Sequence, residues 1–176
     1  MADGYSAIAV RGSRAFDSMD RDMQENFALY SRTYDSLPED RMLMLVDSIC
    51  PSSEITDRGL TYTYRWPDLT ILVSAMPSSE LPDHLRGFEG YLRRGIYGGK
   101  VPDRGERIIR RILATRLVIG VELQPGRDEQ ERADELVGRM AGGLRPIIFH
   151  RDELFDWMSR LLLARDGSFD PDAELD

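Results

Sequence analysis

The sequence predicts an α+β fold in which an N-terminal helical pair is followed by a mixed sheet of about four strands with helices on one face. Two patterns predict this arrangement. Apolar and polar side chains alternate twice over residues 60–76, as in a β-hairpin, and residues 116–149 show strand, helix and strand periodicity in turn. A chain of 176 residues can bury a sizeable core. We therefore expect one domain over residues 1–165, with a loosely ordered leader at 1–15.

Two amphipathic helices are predicted for the N-terminal side. The first covers about residues 17–33, where apolar side chains recur at helical spacing: Phe16, Met19, Met23, Phe27 and Tyr30. The second begins at Ser36, whose spacing from Glu39 is that of a capping box, and it ends at Cys50, directly before a proline. Together these segments form the predicted helical pair.

The hairpin over residues 60–76 is predicted from two alternating apolar rows. The first row is Leu60, Tyr62, Tyr64 and Trp66, and the second is Leu69, Ile71, Val73 and Ala75. Pairing Trp66 with Leu69 places each member of one row opposite a member of the other, on the same face of the sheet. We expect this register.

Two further helices are predicted between the hairpin and the strand–helix–strand unit. The first follows Glu80 and carries an apolar stripe of Leu81, Leu85, Phe88 and Leu92. A loop from Gly95 to Gly105 follows. Residues 106–113 are then predicted to form a short basic helix that leads into the central strand.

The strand–helix–strand unit carries the clearest periodicities of the chain. Residues 116–123 alternate, and residues 146–149 include a short apolar run typical of an interior strand. A helix near 127–142 lies between them, with Gly142 and Gly143 as its stop signal. We expect the two strands to be adjacent and parallel.

The C-terminal part of the chain leaves one choice open. Residues 151–163 carry a pattern that suits a helix, but also two short strands around a turn. Residues 166–176 are acidic and are predicted to be a disordered tail. The sequence pattern does not decide between helix and hairpin for the first of these segments.

The C-terminal third resembles an uncharacterised group of small bacterial α+β proteins. The residues that carry the resemblance are the strand–helix–strand unit, then Asp156 and Arg160-Leu-Leu-Leu, then Asp166-Gly and Asp170-Pro-Asp-Ala. In that group a glycine precedes the arginine and the segment is a hairpin, whereas this chain has Ser159 there. The resemblance implies no activity.

Charge is distributed unevenly along the chain, whose net charge is −8. Residues 86–116 hold nine basic and three acidic side chains, whereas 1–85 and 117–176 each hold seven basic and 14 acidic ones. The basic stretch could bind an acidic partner, but such stretches are often neutralised within their own domain. The acidic remainder predicts attraction to a protein with a basic surface and argues against general binding to nucleic acid.

Few residues of the sequence are candidates for chemistry. His150 follows the predicted interior strand, where ligands often bind in sheets, and His84 lies on the third predicted helix. Arg107 and Arg111 belong to the basic helix. These four residues are the candidate ligand or partner contacts. No motif predicts a catalytic residue, a cofactor or a metal site, and the single Cys50 lacks a neighbouring base.

These observations favour a non-catalytic protein that binds another protein, as immunity proteins and secretion chaperones do, and they favour a protein that is not an enzyme. The alternative is a small-ligand binder or an enzyme with a site near His150 or the arginines of residues 104–116. Apolar runs are too short for a membrane span, and the N-terminus lacks the pattern of a signal peptide. We expect a cytoplasmic protein. The sequence does not predict its oligomeric state.

Overall fold

A computed structural model describes residues 25–33, 54–56, 61–66, 69–125 and 130–175. Its strands are β1 (Glu25–Ser31), β2 (Glu54–Thr56), β3 (Thr61–Trp66), β4 (Leu69–Ala75), β5 (Leu117–Pro125), β6 (Ile147–His150), β7 (Glu153–Phe155) and β8 (Leu161–Leu163). Its α-helices are α1 (Leu81–Tyr91), which continues into a π-helical turn at Leu92–Ile96, α2 (Asp103–Leu113) and α3 (Gln130–Leu144). The α+β class is therefore confirmed.

The described strands form one sheet in the order β2-β3-β4-β5-β1-β6-β7-β8, and every neighbouring pair is antiparallel. The prediction of a mixed sheet of about four strands is wrong. The sheet is larger because β1, β2 and the C-terminal hairpin of β7 and β8 also join it. None of the described helices combines the length and the apolar character that a membrane span needs.

β1 lies in the middle of the sheet. The sequence pattern assigned this segment to the first helix of the N-terminal pair, at about residues 17–33. That prediction is wrong, because the described helices all follow β1. Leu29 packs on one face of the sheet while Ala28 and Tyr30 pack on the other. A strand buried on both faces reads as a continuous apolar run, which periodicity alone does not separate from a helix. The second predicted helix, from Ser36 to Cys50, lies outside the described residues.

The strand–helix–strand unit is present, but its two strands are not adjacent. β1 lies between β5 and β6 and is antiparallel to both, so β5 and β6 run in the same direction one strand apart. The predicted adjacent parallel pairing is wrong because β1 takes the position between them. The bridging helix α3 passes through Gly142 and Gly143 and ends at Leu144, before Arg145 at a φ of 44° and Pro146.

The predicted hairpin is confirmed as β3 and β4, including its register. Tyr62 pairs with Val73, and Trp66 pairs with Leu69. β4 then pairs with β5 along its whole length, so the hairpin and the strand–helix–strand unit belong to one sheet, as predicted. Cross-strand matching of apolar rows was sufficient to set this register.

Helices cover both faces of the sheet, which corrects the prediction that they lie on one face. On one face, α3 supplies Val137, Met140, Ala141 and Leu144 to a core with Leu29, Ile71, Val73, Ile119, Val121 and Ile148. On the other face, α1 and α2 supply Leu85, Phe88, Ile108, Ile109 and Ile112 to a core with Tyr30, Val118 and Ile147. The central strands are therefore apolar on both sides.

Residues 151–163 form a hairpin of β7 and β8. Of the two structures that the sequence pattern allowed for this segment, helix or hairpin, the hairpin is the one present. Ser159, in the turn, has a φ of 61°, a left-handed conformation that glycine adopts more readily. The buried carboxylate of Asp156 compensates by accepting hydrogen bonds from the backbone N–H groups of Met158 and Arg160, both at 2.9 Å. The turn is thus held by a side-chain cap rather than by a glycine.

The last ten described residues contact the domain at several points, in contrast to the disordered tail expected from their composition. Arg104 donates hydrogen bonds to the carbonyl oxygens of Leu162 at 2.9 Å and Ala173 at 3.3 Å, and its guanidinium lies 4.3 Å from the centre of the Phe169 ring. Ala173 is buried and Leu175 is partly buried against the same core. A charged composition therefore did not prevent specific docking.

Candidate functional site

The first candidate residue, His84, belongs to an aromatic cluster under α1. Its Nε2 shares a hydrogen bond of 3.1 Å with the hydroxyl of Tyr30, and its ring stacks with those of Tyr30 and Phe88. Burial lowers the pKa of His84 and raises that of Tyr30, so both groups are held neutral. These contacts give His84 a structural role.

The second candidate, His150, lies at the end of β6 and contacts β1. Its Nδ1 is 2.9 Å from the carbonyl oxygen of Asn26, which can only accept, so Nδ1 carries the proton. The ring stacks on Phe27 with centroids 4.1 Å apart. This is the backbone-bonded arrangement expected of a histidine that extends a strand pairing.

Some arginines of the basic stretch form ion pairs or hydrogen bonds within the fold. Arg93 on the π-helical turn pairs with Glu89 at 2.9 Å and reaches both carboxylate oxygens of Glu106 on α2. The hydrogen bond from Arg93 holds the pKa of the Glu106 carboxyl below its usual value. Arg104 is occupied by the C-terminal segment, as described above. Internal neutralisation therefore accounts for part of the basic stretch.

Five other arginines form a patch, which we call the arginine surface: the exposed Arg32, Arg107, Arg110 and Arg116, and the half-buried Arg111. Arg107, Arg110 and Arg111 share one face of α2, because residues three and four apart on a helix are neighbours. Arg32 follows β1 and Arg116 precedes β5. The backbone N–H of Arg116 donates to the carbonyl oxygen of Ser31 at 2.9 Å, which brings these two strand ends together beside α2.

Two shallow depressions, both open to solvent, mark the arginine surface. One, of about 450 Å³, is lined by Arg32, Thr33, Arg111, Ala114 and Arg116. The other, of about 520 Å³, is lined by Arg32, Arg107, Arg110, Arg111 and Leu175. Because Arg32 and Arg111 line both, the depressions adjoin and form one continuous feature.

Three arginines of the arginine surface lack the ion pairs seen elsewhere in the basic stretch. Within the described part of the chain, no carboxylate pairs with Arg32, Arg107 or Arg111. Glu106, an acidic residue of α2, is instead directed toward Arg93. Guanidinium groups that share a face without acidic partners create a local positive potential, which favours an anionic ligand.

The four candidate residues do not form one site. Arg107 and Arg111 lie together on the arginine surface, whereas His84 and His150 are engaged in separate internal contacts. The sequence places Arg110 and Arg116 in the basic stretch, but neither was among the four candidate residues. Helical spacing could have linked Arg110 to Arg107. For Arg32 the sequence carried no signal, because its proximity depends on the position of β1.

Chemistry beyond anion binding finds little support in the described residues. They contain no group of three or more histidine, cysteine or acidic side chains placed to hold a metal ion. The carboxylate of Asp156 is buried and satisfied by hydrogen bonds from its own turn and from the C-terminal segment. Its role is to hold the turn.

Comparison with known proteins gives no further guide to this site. No family model, no curated protein and no solved structure matches the chain.

Proposed function

We propose that this is a non-catalytic, cytoplasmic protein that acts by binding another protein, in the manner of an immunity protein or a secretion chaperone. The observation that carries the proposal is the form of the arginine surface. Its charged side chains line wide, shallow depressions rather than an enclosed apolar cavity, which is the usual site for a small molecule. An open charged surface can contact the surface of another protein over a wide area.

The state of His84 supports the same proposal. A general base must reach a substrate proton, but the His84 ring is stacked against Tyr30 and Phe88 and hydrogen-bonded to Tyr30. At His150 the Nδ1–H donates to the carbonyl oxygen of Asn26, so the enzyme alternative there depends on Nε2. A small anionic ligand at the arginines is the other alternative, because guanidinium groups bind phosphates and carboxylates of any size.

Site-specific photocrosslinking in the organism of origin tests the proposal. A photoreactive phenylalanine derivative replaces one exposed residue at a time at four positions: Ala114, Met158, Phe169 and Arg139. These positions sample the arginine surface at the end of α2, the β7–β8 turn, the C-terminal segment and α3. We expect at least one position to give a discrete adduct with a single protein.

The alternative predicts a different outcome. Absence of a protein adduct at all four positions, together with a rise in melting temperature on adding citrate or inorganic phosphate, would overturn the proposal in favour of a small anionic ligand. Such anions also stabilise folded proteins in general by exclusion from their surfaces. The rise therefore reports binding to the folded state only where Arg107→Gln with Arg111→Gln abolishes it.

A further inference from the structure

We propose that the arginine surface is the docking face for an acidic segment of a partner protein. This inference rests on the proposed protein-binding function. It assigns one face and an acidic partner segment to that face, in place of the basic-surfaced partner that the net charge of −8 alone predicts. Arg107 and Arg111 are four residues apart on α2, which separates them by about 6 Å along the helix. Alternate residues of an extended peptide are separated by about 6.6 Å. Carboxylates at every second position of such a peptide therefore match the spacing of these arginines.

The side chains of the arginine surface suit carboxylates in particular. A guanidinium presents a planar fork of donors that binds a carboxylate through two parallel hydrogen bonds. Arg32, Arg107 and Arg111 have no carboxylate partner within the described residues, so binding an acidic segment there breaks no internal ion pair of theirs. An acidic segment would supply these arginines with carboxylate partners, as Glu89 and Glu106 do for Arg93.

An apolar side chain on the arginine surface favours a protein segment over a nucleic acid. Leu175 lines one of the two depressions. A leucine offers contacts to apolar side chains, whereas single-stranded nucleic acids are bound on aromatic rings, and among the described residues no aromatic ring lines either depression. The net charge of −8 also repels a long polyanion such as duplex DNA, while a short acidic segment meets mainly the local positive potential.

Fluorescence polarisation with a defined probe tests the inference. The probe is a short labelled peptide in which glutamates alternate with serine and leucine, and its control has glutamine at each glutamate. We expect the full chain to bind the glutamate peptide, to bind the glutamine peptide at least about tenfold more weakly, and to lose affinity between about 50 and 300 mM salt.

Matched charge variants locate the binding. The double substitution Arg107→Glu with Arg111→Glu should weaken peptide binding by about tenfold or more, and Arg107→Gln with Arg111→Gln should have an intermediate effect. The control, Arg139→Glu with Arg165→Glu, alters net charge by the same amount at two exposed residues outside the arginine surface and should change the affinity less than about threefold. Melting temperatures establish that each variant is folded, and the glutamine pair serves if the glutamate pair is not.

Three outcomes would overturn the inference: equal binding by the Arg107/Arg111 variants and the wild-type chain, equal binding of the two peptides, or stronger binding of a duplex DNA than of the glutamate peptide. The photocrosslinking experiment separates this failure from failure of the proposed function. An adduct at Met158 or Arg139 with none at Ala114, which lines the arginine surface, keeps the protein-binding function and rejects the arginine surface. An adduct at Ala114 that disappears with Arg107→Glu and Arg111→Glu supports both.

Discussion

Replacement of Asp156 by alanine should destabilise the protein more than replacement of any exposed carboxylate. Asp156 is 1% exposed, and its Oδ1 accepts the backbone N–H groups of Met158 and Arg160. Its Oδ2 accepts the Nε–H of Arg160 at 2.9 Å and the backbone N–H of Glu174 at 3.0 Å. One carboxylate therefore joins the β7–β8 turn to the C-terminal segment.

The magnitude follows from the donors that would lose their acceptor. A hydrogen bond to a charged group contributes about 1.5–3 kcal/mol, and four bonds to one carboxylate are not additive. Removing one partner of a buried charged network costs about 3–5 kcal/mol, which is the loss we expect for Asp156→Ala. Asp156→Asn keeps the shape but directs an N–H₂ group toward one pair of donors, so we expect about 2–3 kcal/mol.

Urea denaturation of the variants measures these losses as changes in the unfolding midpoint. The control is Asp83→Ala, which removes an exposed carboxylate that pairs with Arg86 and should cost less than about 1 kcal/mol. The asparagine variant remains measurable if the alanine variant unfolds, since domains are stable by only about 5–15 kcal/mol. If the alanine variant differed from the control by under about 0.5 kcal/mol, the assigned role of the carboxylate would be refuted.

Three further predictions concern the tail, the turn and the buried histidine. Deleting residues 167–176 should lower the melting temperature by several degrees, because Arg104 and the core lose their contacts with Phe169 and Ala173. Calorimetry measures this shift, and an unchanged melting temperature would show that these contacts contribute little to stability. Ser159→Gly should leave the free energy of unfolding equal or raise it by up to about 1 kcal/mol, whereas Ser159→Val should lower it, and the reverse order in urea would contradict the left-handed assignment. The lowered pKa of His84 means that the unfolded chain takes up the proton first, so stability should fall as pH drops below 6.5. In His84→Gln the fall between about pH 7 and pH 5 should be shallower, and an equally steep fall would argue against this assignment.

Sequence patterns predicted the elements whose signals are local. The β3–β4 register followed from two apolar rows that share a face when Trp66 is paired with Leu69 across a short loop, and α3 followed from its helical stripe. The position of β1 could not be predicted in this way. Phe27 and Tyr30 satisfy helical spacing, and only the pairing of β1 with β5 and β6 makes the segment a strand.

The candidate site was predictable in part for the same reason. Arg107 and Arg111 share a helix face by spacing alone, so a local pattern identifies them. Arg32 joins them only because the backbone of Arg116 bonds to Ser31 at the strand ends. The histidines were placed correctly in sequence terms, on α1 and at the end of β6, but their partners come from β1.

The central position of β1 sets the order in which the sheet can be completed during synthesis. β1 is synthesised early, whereas its partners β5 and β6 are synthesised much later. The backbone N–H and C=O groups of β1 therefore lack their strand partners until the second half of the chain has been made. Pairing between distant segments is slow, because the closure entropy of a long loop is lost before the contacts form. Until residues 147–150 leave the ribosome, one side of β1 presents an unpaired edge around Leu29 and Tyr30, a template for pairing with other chains. A chain halted before β6 should therefore aggregate more readily than the complete protein.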